Sequence, residues 1–165
     1  MRKAALVTQK ILEKNIIFDQ SLNRDDMIDK YIKLRDLFKI NGFNLSTSDI
    51  NKIEDSEIII YGNEMPSKLP NKKDIKKSFI ILSESHFIYP SNFDKKKHEY
   101  FNKIFTWNDD YVDGNKYIKL NLARKIPTKI EKNLNLKKKL CTMITANKYP
   151  PYKFDDELYS KRIAF

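Results

Sequence analysis

Apolar positions along the chain fall into two patterns. Short runs rich in β-branched residues, "SEIIIYG" at 56–62 and "SFIILSE" at 78–84, predict strands covered on both faces, as parallel sheets require. "KAALVT" (3–8) predicts a short first strand, "FNLSTSDI" a strand running into a turn, and "KIFTW" (103–107) a further strand. "YIKLNL" (117–122) alternates apolar and polar, the pattern of an edge strand, and "LCTMITA" (140–146) predicts another buried one. The second pattern has helical spacing. In "NRDDMIDKYIKLRDLFKINGF", Met27, Tyr31, Leu34 and Phe38 recur at steps of four, three and four and give one apolar face. Asn23 is placed to cap this helix, Asp25 and Asp26 suit its first turn, and Gly42 marks its stop. "DKKKHEYFN" suits a short helix or turn, and "DDELYSKRIAF" opens a final helix behind Asp155 and Asp156.

Strands and helices in this order predict an α/β fold: a Rossmann-like domain with a mostly parallel sheet. The lysine-rich stretch 124–139 separates residues 1–138 from a new strand and helix over 139–165. The last helix runs only about ten residues and ends on the apolar pair Ala164 and Phe165, as if a second α/β domain begins near residue 139 and is cut short.

Composition narrows the function classes. Apolar residues make up 41% of the 165 and charged residues 33%, a globular balance. No apolar run approaches the ~20 residues of a membrane helix, and the N-terminus lacks a signal-peptide pattern, so a cytoplasmic protein is expected, with peripheral membrane contact left open. The net charge is +10, yet only five of the 32 basic residues are Arg. Lys, Asn and Ile are abundant together, as A/T-rich coding produces, and the forked Arg contacts of nucleic-acid readers are scarce. A nucleic-acid-binding domain is therefore the weakest alternative. Three glycines exclude a phosphate-cradling Gly-rich loop, and two histidines with one cysteine make no zinc set. Cys141, within an apolar run, reads as a buried thiol.

Candidate chemistry gathers where strands end. Glu84 follows "SFIIL" directly, and open α/β sheets hold ligands beyond the C-terminal ends of their strands. Glu64, in "GNEMPS", follows another buried strand and is its rival.

Several segments resemble glycosyltransferase family 10, the α-1,3/1,4-fucosyltransferases, in its bacterial and viral-type members. "LSESHFIYPSNFDKKKHEYFNKIFTWNDDYVDGNKYIKLNL", "KKKLCTMITANK" and "ELYSKRIAF" carry the resemblance. "NRDDMIDKYIKLRDLFKINGFNLSTSDI" and "YGNEMPS" extend it over most of residues 15–165. It implies the N-terminal, acceptor-binding half of a two-domain GT-B enzyme, with the chain stopping before the main donor-binding motifs. It further implies an inverting transfer of fucose from GDP-fucose to a hydroxyl of an acceptor glycan, in protein glycosylation or other glycan synthesis, without a protein-held metal or a further cofactor. Glu84 in "LSES" matches the position of the base. His86, Asn92, Trp107 and Asp109 would face the acceptor, with Asp110 beside them, and Asn147, Lys148 and Arg162 the donor. The alternative within the same resemblance is a truncated, non-catalytic carbohydrate-binding remnant.

Overall fold

The computed structural model describes residues 1–122, 126, 128–129, 133–139 and 149–164. Six strands form one sheet: β1 (Arg2–Val7), β2 (Phe43–Thr47), β3 (Ile58–Tyr61), β4 (Ser78–Leu82), β5 (Lys103–Thr106) and β6 (Tyr117–Lys119). They lie in the order β2-β1-β3-β4-β5-β6, and every neighbouring pair is parallel. The expectation of an α/β fold holds, with the sheet parallel throughout its described strands. The alternating segment forms the edge strand β6, as its pattern predicts. The strand expected at 140–146, Cys141 within it, and much of the stretch 124–139 lie outside the described residues.

Three helices are described: α1 (Asp29–Ile40), α2 (Lys95–His98) and α3 (Tyr159–Ala164). Helix α1 begins five residues later than an Asn23 cap requires. Residues Arg24–Asp26 form a 3₁₀ turn, and Asp26 takes a left-handed φ of 55°. Asn23 instead braces the helix start from outside: its Oδ1 accepts from the Ile28 amide at 3.1 Å and its Nδ2 donates to Asp29. Met27 therefore leaves the apolar face and is exposed, while Tyr31, Leu34 and Phe38 stay on it. Gly42 ends the helix as expected, at φ 81°. Before α3, the buried Glu157 caps the turn: its carboxylate accepts from the Tyr159 and Ser160 amides. Asp155 and Asp156 do not supply this cap.

Two cores flank the sheet. On one face Ala4, Leu6, Phe43, Leu45 and Ile60 pack under Tyr31 of α1 and under Ile17 and Phe18. On the other, Ala5, Ile59, Tyr61, Ile80, Leu82 and Ile104 are covered by Ile53, Met65, Leu69, Tyr100 and Phe101 from the later connections. Helix α1 is about 18 Å long and about 10 Å wide, whereas six strands span ~24 Å. It leaves an apolar groove of about 370 Å³ beside itself, between Leu34 and Phe38 and the strand residues Ile58, Ile60, Phe79, Ile81, Phe105 and Leu120.

Asn51 ties the first two strands together. Its buried carboxamide donates to the Ala4 carbonyl at 2.9 Å and to the Asn44 carbonyl at 2.8 Å. Asn51→Ala strands both carbonyls and is expected to cost ~1–3 kcal/mol of stability. Urea unfolding followed by circular dichroism checks this; an unchanged midpoint would remove the role.

Candidate functional site

The C-terminal ends of the strands carry the polar side chains. Beyond β1 lies Gln9, beyond β3 lie Asn63 and Glu64, beyond β4 lie Ser83, Glu84 and Ser85, and beyond β5 lie Trp107 and Asp109. The short connections hold these residues against one another. Asn63 sits at φ 71°, a left-handed conformation that Asn tolerates better than most side chains. Its Oδ1 accepts from the Tyr31 hydroxyl at 2.6 Å, and its carbonyl accepts from the Ser83 amide at 3.1 Å. Glu64 Oε1 accepts from Gln9 Nε2 at 3.1 Å.

Glu84 is half-buried, and among the described residues no hydrogen bond or ion pair engages its carboxylate. Its main chain is fixed: the Glu84 carbonyl accepts from Asn92 Nδ2 at 3.2 Å. Asn92 is 0% exposed, and its Oδ1 accepts from the Met65 amide at 2.7 Å. Both ends of this carboxamide are spent on backbone. Asn92 therefore braces the loops after β3 and β4 and does not face a ligand, against the expectation of an acceptor contact. The neighbouring Ser85 hydroxyl is buried with no partner among the described residues.

His86 lies in an aromatic nest, 3.9 Å from Phe87, 5.3 Å from Phe93 and 5.9 Å from Phe154 between ring centroids. Phe154 brings the segment before α3 against the Glu84 loop. Phe93 also meets Tyr111 at 5.6 Å, which joins that loop to the turn after β5. Trp107, on that turn, is 36% exposed, so its ring is open to solvent and outside both cores. Asp109 is 82% exposed and paired with Lys119 Nζ, which also donates to the Trp107 carbonyl at 2.8 Å. Asp110 lies within the 3₁₀ turn Asp109–Tyr111, its amide donating to the capping Asn108 Oδ1 at 3.0 Å.

Arg162 is exposed on α3, its guanidinium 5.5 Å from the Tyr159 ring centroid. Asn147 and Lys148 lie outside the described residues. Among the described residues no group of three or more His, Cys, Asp or Glu side chains is placed to hold a metal ion, and no helix is long and apolar enough to cross a membrane.

The sequence reading passed over His98, which sits in the lysine-rich "KKKH" and shows no local signal of burial. It is 1% exposed. Its Nε2 lies 2.8 Å from the Asn92 carbonyl and its Nδ1 3.0 Å from the Tyr117 hydroxyl. A carbonyl only accepts, so Nε2 carries the proton and Nδ1 accepts from Tyr117. Burial, foremost, lowers the imidazole's proton affinity below its usual value, with Lys116 adding to the effect against the Asn92 carbonyl. Gln9 and Ser83 were likewise invisible in one dimension, since their partners come from other strands.

Compared with known proteins, the chain matches no family model, no curated protein and no solved structure.

His98 makes stability depend on pH. The unfolded chain takes up the His98 proton near pH 6.5, whereas the folded chain resists it. The stability this contributes is complete above the unfolded value and is lost as pH falls through it toward the lower folded one. Urea midpoints should therefore drop between about pH 7.5 and about pH 5.5. His98→Gln should flatten that slope while lowering stability at the upper pH. A slope that survives the substitution would assign it to other groups.

Proposed function

We propose that residues 1–138 form the acceptor-binding half of an inverting, fucosyltransferase-like glycosyltransferase of GT-B type, with the donor domain starting near residue 139. The observation that carries this reading is Glu84. It stands at the C-terminal end of β4 on a main chain clamped by Asn92, and its half-buried carboxylate is unengaged among the described residues. A base needs this combination of a fixed position and an oxygen that is free to take a proton.

In the proposed reaction an acceptor hydroxyl attacks C1 of fucose while the bond from C1 to the GDP oxygen breaks. The hydroxyl proton passes to Glu84, and the pair of electrons leaves with GDP. Charge growing on the diphosphate calls for cations, the role assigned to Arg162 and Lys148, with Asn147 as a neutral donor. His86 and the open ring of Trp107 offer aromatic surface to the acceptor sugar, and Asp109 and Asp110 offer oxygens to its hydroxyls.

With a donor domain attached, GDP-fucose and an acceptor oligosaccharide should yield GDP, and Glu84→Gln should lower kcat by ~10²–10⁴-fold while donor binding stays intact. Turnover that survives Glu84→Gln removes Glu84 from the chemistry. No GDP release with any acceptor glycan sinks the reading as a whole.

A further inference from the structure

The strand order carries information beyond Glu84. Winding runs from β1 to β2 on one side, then passes back over β1 to β3 and outward to β6. The reversal falls between β1 and β3, and open α/β sheets bind ligands beyond the strand ends at that point. The carboxylate standing there is Glu64; Glu84 stands one strand farther out.

Glu64 is built into this crevice. Its Oε1 is held by Gln9 Nε2, so the pair bridges the loops after β1 and β3 across the reversal. Its remaining oxygen makes no hydrogen bond or ion pair among the described residues. The floor beneath is rigid, because Asn63 is bonded to Tyr31 of α1 and to Ser83 beyond β4. Asn92 joins the amide of Met65, the residue after Glu64, to the carbonyl of Glu84. The two glutamates thus sit on adjacent loops separated by two hydrogen bonds and one carboxamide.

The charges select the ligand. Two carboxylates at one strand edge repel a phosphate or carboxylate, and among the described residues no group of three or more His, Cys, Asp or Glu side chains is placed to hold a metal ion. Oxygens that accept suit a neutral ligand with several hydroxyl groups.

We propose that Glu64, with Gln9, binds a neutral saccharide through its hydroxyls, as a second carboxylate of the site that holds Glu84. This rests on the acceptor-site reading for the identity of the saccharide, and on the sheet geometry for its place. Glu64 is here a binding residue, and proton removal stays with Glu84.

The test titrates lactose, chitobiose and sucrose into the full chain and follows saturation transfer from protein to sugar by NMR. At least one should bind, and Glu64→Gln should weaken it ~10-fold or more, the expected loss of a hydrogen bond to a charged group. Glu84→Gln should change affinity less than ~3-fold, because its carboxylate is charged with taking the proton. Gln9→Ala, an exposed substitution that leaves both cores intact, should weaken binding too and guards against a misfolded Glu64 variant. Wild-type affinity in the Glu64 and Gln9 variants overturns the proposal, as does the absence of binding by all three sugars. Saccharide binding that needs Glu64, in a protein that transfers nothing, keeps this proposal and discards the transferase. Transfer that needs Glu84 but ignores Glu64 does the reverse.

Discussion

The handedness of parallel connections governs most of this molecule. A strand joined to a parallel neighbour crosses in a right-handed sense, because a right-twisted strand packs its connection back onto the sheet only that way. Once β2 lies on one side of β1 and β3 to β6 lie on the other, the first connection must run over one face and the later ones over the opposite face. The cores obey this. Tyr31, Ile17 and Phe18 from the first connection lie on one side, and Ile53, Met65, Leu69 and Phe101 from the later ones lie on the other. The apolar groove follows from the same rule, since among the described residues the connections from β2 to β6 lie over the face opposite Phe79, Ile81 and Phe105. So does the gathering of Gln9, Glu64, Glu84 and Trp107 at one edge, because six parallel strands all end on the same side.

Those ends would be loose without buried polar contacts, since few helices span the connections. Short 3₁₀ turns take their place, and these leave backbone groups to be satisfied from outside. Asn92 supplies two such contacts, and His98 holds Asn92 through its carbonyl while accepting from Tyr117 on β6. The chain Met65–Asn92–His98–Tyr117 thereby spans from the loop after β3 to the last strand. Each member is satisfied, which is the condition for a buried polar network to stabilise a fold. The loops after β3 and β4 inherit their rigidity from this chain, while the carboxylates of Glu64 and Glu84 stay outside it.

Much of the fold was legible because periodicity is a local property. Runs such as Ile58–Tyr61 and Ser78–Leu82 announce strands covered on both faces whatever their partners, and the alternation in Tyr117–Lys119 announces an edge. The start of α1 was misread because Asn23 and two aspartates make an N-terminal pattern that the left-handed Asp26 interrupts. The buried roles of Asn92 and His98 went unread for another reason. A polar residue in or beside a lysine-rich segment carries no mark of burial, and His98 is covered by Tyr111 and Tyr117 arriving from elsewhere.

Glu64 and Glu84 show where pattern ends and topology begins. Each follows a β-branched run, each is half-buried, and neither has a local feature that ranks it above the other. What separates them is the order of strands, a long-range property that places Glu64 at the reversal and Glu84 beside it. Their partners then divide the work. Glu64 already accepts a hydrogen bond from Gln9, so one oxygen is occupied and the group is oriented, which suits recognition. Glu84 keeps both oxygens unengaged by described residues over an immobilised main chain, which suits a group that must gain and lose a proton. A base that also had to bind would trade one duty against the other. In the proposed reading, two carboxylates on loops clamped by one carboxamide separate those duties.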